Sequence, residues 1–186
     1  MKIPRLATTT VASLSLVLLG VSAIYAQSKD KYSLAVPGGL AASEFRGFES
    51  WQTISMSQNG PVVAVIVGNP QMIEAYQSGI PGNGKPFPDG AKMAKIHWLP
   101  KKSENPGNPL VPDKLVNIDF MVKDAKRFAD SGGWGYGVFA YDAATDTYRV
   151  GNTQDTPPQS NDAKCGFGCH TIAKAKDYVF TEYARR

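Results

Sequence analysis

The chain is short of the residues that hold metals and cross-link small folds. Its 186 residues include two cysteines and two histidines. Two cysteines exclude a disulfide-dense scaffold and a four-cysteine zinc or iron–sulfur centre. Two histidines exclude a three-histidine metal site. Charge is modest too, at 19% of residues, while 42% are hydrophobic. That balance describes a globular protein, not a disordered one. The length suits one ordinary domain with a real core, or two very small ones. No internal repeat or low-complexity block interrupts the chain.

The first 26 residues have no acidic residue, and their only charges are Lys2 and Arg5. A charge-free run, Val11 to Ala26, follows them and ends in Ser22-Ala23-Ile24-Tyr25-Ala26. A positive start, an apolar run and a small-residue cleavage site form the layout of a secretory signal peptide, removed before Gln27. The alternative is a membrane anchor. The run is a little short of the roughly 20 apolar residues a span needs, and it contains Ser13, Ser15, Gly20 and Ser22. Without Lys2 and Arg5, the remaining 18 basic residues face 16 acidic ones, a net of +2. So weak a bias does not argue for nucleic-acid binding.

The predicted organisation is a signal peptide (1–26), a loose N-terminal arm (27–42) and one domain (43–186). Phe45, Phe48 and Trp51 recur every three residues, predicting a short amphipathic helix that Asn59-Gly60-Pro61 breaks. Val62 to Val67 is a β-branched run expected as a buried strand. Asn69 and Pro70 mark the start of a helix to Tyr76. Gly79 to Gly90 holds four glycines and three prolines and must be loop. Ala91 to Trp98 is expected as a strand with Met93, Lys95 and His97 on one face and Lys92, Ala94, Ile96 and Trp98 on the other. Lys101 to Asp113 is expected as loop. Val116 to Val122 is a strand with Val116, Ile118, Phe120 and Val122 on one face. Asp124 to Asp130 is a helical turn. Tyr136 to Tyr141 and Thr147 to Val150 form a hairpin, and Lys164 to Ala184 is helix. The fold class is α+β: a mainly antiparallel sheet flanked by short terminal helices.

Both cysteines and one histidine fall within the six residues Cys165-Gly166-Phe167-Gly168-Cys169-His170. In c-type haem attachment, two cysteines separated by two residues precede a histidine; here three residues separate them. The chemistry survives the extra residue. On a helix, residues i and i+4 share a face, so both thiols can reach one ring edge and add to its vinyl groups. His170, rotated by about 100°, can offer an imidazole nitrogen to the iron. Gly166 and Gly168 let a flat ring lie close to the backbone. A Cys165–Cys169 disulfide also fits, because i,i+4 Cα atoms lie roughly 6 Å apart. A metal site would need a fourth ligand. Spacing leaves haem and disulfide open.

The stretches Phe45-Arg46-Gly47-Phe48-Glu49-Ser50-Trp51-Gln52, Gly84-Lys85-Pro86-Phe87-Pro88-Asp89-Gly90, Asp119-Phe120-Met121-Val122-Lys123-Asp124, Gly132-Gly133-Trp134-Gly135-Tyr136 and the terminal cysteine–histidine segment, in that order, resemble the cytochrome P460 family. The resemblance covers nearly the whole chain after the leader. It implies a periplasmic protein with one covalent haem c per chain and a mainly antiparallel β fold, usually homodimeric. It further implies that Cys165 and Cys169 carry the haem and that His170 is the proximal iron ligand. In P460 enzymes a lysine in the strand after a Pro-Asp-Gly turn also bonds to the haem ring and supports hydroxylamine oxidation. By its place in that strand Lys95 is the candidate here, and Lys92 is second. The related cytochromes c′-beta share the fold and bind small gases.

His97 is expected as a satisfied sheet histidine before a distal ligand or pocket base. Phe120, Trp134 and Tyr136 are expected in the core, as are Met56, Met72, Met93 and Met121. The iron is therefore expected to be five-coordinate with an open face. Lys85 does not complete a phosphate loop, since no Ser or Thr follows it. Three functions follow. The first is an oxidoreductase acting on a small nitrogen compound such as hydroxylamine and passing electrons to an external acceptor such as a small cytochrome. Asp119, Glu74 and Asp124 are its candidate proton-accepting carboxylates. The second is a protein that binds nitric oxide or carbon monoxide without turnover. The third is a non-haem secreted domain with a disulfide.

Overall fold

A computed structural model describes residues 30–36, 39–151 and 163–186, with backbone only at 163–165. The predicted leader and the polar, proline-containing linker expected over Gln154 to Asp162 lie outside the described residues. Six strands form one antiparallel sheet in sequence order: β1 (Gln52–Asn59), β2 (Val62–Gly68), β3 (Lys92–Lys102), β4 (Leu110–Lys123), β5 (Trp134–Asp142) and β6 (Thr147–Val150). Helix α1 (Pro70–Gln77) links β2 to β3, and α2 (Ala163–His170) follows β6. The α+β class with a mainly antiparallel sheet is what the sequence predicts.

Strand alternation divides the side chains between two cores. On one face Val65, Ile96, Ile118 and Phe139 form a row across the sheet, beside Val67, Ala94 and Phe120. The N-terminal segment covers this face. Its short 3₁₀ turns bring Phe45 into a stack on Phe120 at 4.0 Å and set Phe48 edge-on to the same ring at 5.4 Å. Part of the expected loose arm is built in as well: Tyr32 and Leu40 are buried in this core. The other face carries Ile66, Met93, Met121 and Tyr136, covered by α1, Phe87 and the C-terminal segment. Helix α1 begins as predicted, with the Asn69 side chain accepting from Met72 N at 3.1 Å and Pro70 in first position.

Four sequence expectations change. Gln52–Asn59 is a strand whose polar side chains hide it from a hydrophobic pattern. The loop expected over Lys101 to Asp113 shrinks because β3 runs to Lys102 and β4 starts at Leu110. A bulge between His97 and Trp98 leaves Val116 outside the register, so it is exposed instead of sharing the buried face. The fourth change is at the tail. Helix α2 ends at His170, a 3₁₀ segment spans Thr171–Lys176, and Asp177 and Tyr178 at φ 50° and 63° turn the chain into an extended end.

Candidate functional site

Helix α2 lies on the second face of the sheet, against β5. The contact depends on Gly166: a Cβ there would sit 2.8 Å from Cβ and Cγ of Tyr136. That glycine is used by the Tyr136 ring, contrary to the expectation that it makes room for a flat ligand. A Cβ at Gly168 would meet nothing within 4 Å. Cys169 is a free, exposed thiol. The side chain of Cys165 lies outside the described residues.

His170 closes the helix with its ring between Tyr136, 5.0 Å away, and Phe180, 4.7 Å away. Its Nδ1 lies 2.6 Å from the carbonyl oxygen of Tyr178. A carbonyl only accepts, so Nδ1 carries the proton and donates, and Nε2 is left with its lone pair. Burial holds the imidazole below its usual pKa, the Tyr178 carbonyl opposes that shift, and the positive charge of Lys95 adds to it. The neutral ring that a metal requires is therefore the favoured form.

The ring borders a cavity of about 180 Å³ whose floor is the sheet. Two adjacent rows of β-pairing build that floor: Met93–Met121–Tyr136, and Ile66–Lys95–Asp119–Val138. Phe180 is 49% exposed, so this side reaches solvent. The buried Tyr136 hydroxyl has no hydrogen-bond partner among the described residues. Such a group is a place for a ligand or water to bind. The sequence placed Tyr136 in the core; it is both core and cavity wall.

Lys95 lines the cavity. Lys92 does not: it lies on the opposite face, where its Nζ donates to the Glu44 carbonyl at 2.5 Å. Among the three carboxylates, Asp119 borders the cavity, Glu74 sits on α1, and Asp124 is engaged in its own turn, accepting from the backbone N–H of Lys126 and Arg127. The Asp119 side chain keeps 40% of its surface exposed, but surrounding protein raises its pKa to about 6, against the pull of the Asn117 hydrogen bond and Lys95. Asn117 Nδ2 donates to Asp119 Oδ1 at 2.6 Å and lies 3.2 Å from His97 Nδ1. Burial and Lys95 lower His97 to about 4, so at neutral pH it is uncharged and its Nδ1 accepts from Asn117. His97 therefore sits as a satisfied sheet histidine, in a shallower depression that shares Lys95 and Asp119 with the cavity. Met93 and Met121 line the cavity, Met72 is core and Met56 is exposed.

A single imidazole thus borders a cavity set between an antiparallel sheet and the cysteine–histidine helix α2. The family model for cytochrome P460 matches residues 45–181. The chain belongs to that family, which implies haem binding and a c-type haem protein. Comparison with curated proteins finds no match. The residues present fit a haem: one half-buried neutral imidazole whose Nδ1 is tied to a carbonyl, a largely apolar cavity lining, a buried hydroxyl without a partner among the described residues, and a cysteine thiol next to the imidazole in sequence.

Proposed function

We propose that the chain is an exported, periplasmic haem c protein that oxidises a small nitrogen compound such as hydroxylamine and hands the electrons to an external acceptor. The observation that carries this reading is His170, with Nδ1 tied to Tyr178 and Nε2 free beside a cavity that Lys95 and Asp119 also line. Haem, when bound, supplies an iron that takes electrons one at a time. Cys165 and Cys169 would hold the ring edge through thioether bonds, and His170 Nε2 would ligate the iron. The cavity beside Tyr136, lined largely by apolar side chains, leaves room for a small molecule that would enter from the solvent side. Asp119 accepts a proton from the substrate. Lys95 lines the same cavity and would be the residue that bonds the ring.

An apolar wall of Ile66, Met93, Met121 and Phe180 favours a second reading, binding of nitric oxide or carbon monoxide without turnover. Homodimerisation is part of either reading. The experiment is expression with cytochrome maturation, followed by a pyridine haemochrome spectrum and a hydroxylamine oxidation assay. Covalent haem with turnover, and a reduced Soret band that loses its strong red shift in Lys95→Ala, is the expected result. Covalent haem with ordinary bands, carbon monoxide binding and no turnover selects the second reading. A colourless product, or normal high-spin spectra in His170→Ala, refutes both.

A further inference from the structure

The carbonyl that orients His170 belongs to a turn that stands in an unfavourable conformation. Asp177 and Tyr178 are consecutive non-glycine residues in the left-handed region, at φ 50° and 63°. Such residues persist only where their surroundings over-determine them. Here the surroundings are one buried charge pair. Lys123 is 5% exposed. Its Nζ donates to Asp177 Oδ1 at 2.8 Å and Oδ2 at 3.0 Å, and to the Gly132 carbonyl at 3.0 Å. It also lies over the Trp134 ring, 5.1 Å from the centroid. Asp177 Oδ2 accepts from Phe87 N at 2.8 Å. The next residue is clamped as well. A Cβ on Gly132 would fall 2.3 Å from the Tyr178 ring, so only glycine admits that ring, which also packs on Phe167 at 5.6 Å.

Three of the segments singled out in the sequence thus converge on one turn: Phe87 from the loop, Lys123 from the end of β4, and Gly132 with Trp134 from the start of β5. A buried ion pair is weak evidence for stability, because desolvation offsets much of the attraction. Its best use is to fix one geometry. We propose that Lys123 and Asp177 are positioning residues for His170: their ion pair locks the Asp177–Tyr178 turn so that the Tyr178 carbonyl holds the His170 Nδ1 proton. This sets the ring's orientation and its donor strength toward the iron. Hydrogen bonding at the outer nitrogen is a known lever on a ligating imidazole. The inference rests on His170 Nε2 being the iron ligand.

The test is resonance Raman of the ferrous, haem-loaded protein, read at the iron–histidine stretch, with the midpoint potential beside it. Asp177→Asn keeps an oxygen for Phe87 N and removes the charge. The double variant K123M/D177L replaces the pair with apolar side chains of similar volume, so it leaves no buried charge alone. Lys126→Met, at an exposed position, is the control for charge change. In both tether variants the stretch should fall in frequency and broaden, and the potential should rise, because an imidazole without its acceptor is the poorer donor. The control should not move. Folded, haem-loaded tether variants with an unmoved band overturn the proposal while leaving the haem reading intact. A wild-type protein with no iron–histidine band overturns both. Should neither variant fold, exchange of the His170 Nδ1 proton in the unmutated haem-loaded protein decides: slow exchange supports the tether and fast exchange overturns it.

Discussion

Gly166 and Gly168 look alike in the sequence and do different work. Gly166 lets α2 close on β5, since a Cβ there would stand 2.8 Å from Tyr136. Contacts under about 3 Å force the backbone or the ring to move, at a cost of roughly 1–3 kcal/mol. Gly168 has open space where a side chain would be and an ordinary helical backbone. Replacing a helical glycine by alanine there gains up to about 1 kcal/mol, as the unfolded chain loses freedom. Urea unfolding of the protein before haem loading should therefore show Gly166→Ala destabilised and Gly168→Ala unchanged or stabilised. Equal effects would mean that α2 does not rest on Tyr136. The six-residue cluster itself stands out in the sequence, because it gathers both cysteines and one of the two histidines, while its spacing leaves haem and disulfide open. Which glycine contacts the sheet was not, since that depends on a tertiary approach. The acceptor for His170 was equally hidden: it is a backbone carbonyl and carries no side-chain signal.

Strands β3 and β4 bring the polar residues together by register. Alternation in Ala91 to Trp98 foretold that Met93, Lys95 and His97 share a face. It could not say that Lys95 pairs with Asp119 and His97 with Asn117. Register depends on the partner strand, and a slip of one residue would turn Asp119 to the other core. Asp119 is faced by Lys95 and His97 from β3 and by Asn117 from its own strand, while Tyr136 and His170 also border the cavity. Of these, Lys95 and Asn117 favour its charged form, and burial outweighs them, giving a pKa of about 6. A base works only when deprotonated. In the proposed oxidation of hydroxylamine the rate should thus rise with pH through about 6 and level off above it. Asp119→Asn should lose about 10²–10⁴-fold in rate and lose that rising limb. A variant that keeps the limb would place the base elsewhere.

The two ends of the described chain occupy opposite faces of the sheet. The N-terminal 3₁₀ turns seal the hydrophobic core over Phe120, and the C-terminal segment walls the cavity and seals the second core. A tail of this kind is hard to see in sequence. Lys164 to Ala184 contains few breakers, so it reads as one helix; the turn at Asp177 exists because Lys123, 54 residues earlier, holds it. Beyond that turn Val179 is 1% exposed, Tyr183 stacks on Tyr76 at 5.5 Å, Tyr76 donates its hydroxyl proton to the Thr181 carbonyl at 2.8 Å, and Ala184 N donates to the Ile54 carbonyl at 3.0 Å. These contacts tie the last residues to β1 and α1, far away in sequence. A chain ending at Tyr178 keeps an acceptor oxygen for His170, now on the terminal carboxylate, and loses all of them, together with Phe180 and Thr181 of the cavity wall. Burial of one valine at roughly 2 kcal/mol, a tyrosine stack at about 1 kcal/mol and two hydrogen bonds of about 1 kcal/mol each put the loss on the order of 5 kcal/mol. The truncated protein should therefore unfold at a markedly lower urea concentration and, when matured with haem, leave the ring more open to solvent and to exogenous ligands. A truncation with an unchanged midpoint would show that the tail lies on the sheet without holding it, and that the cavity is closed by α2 and the sheet alone.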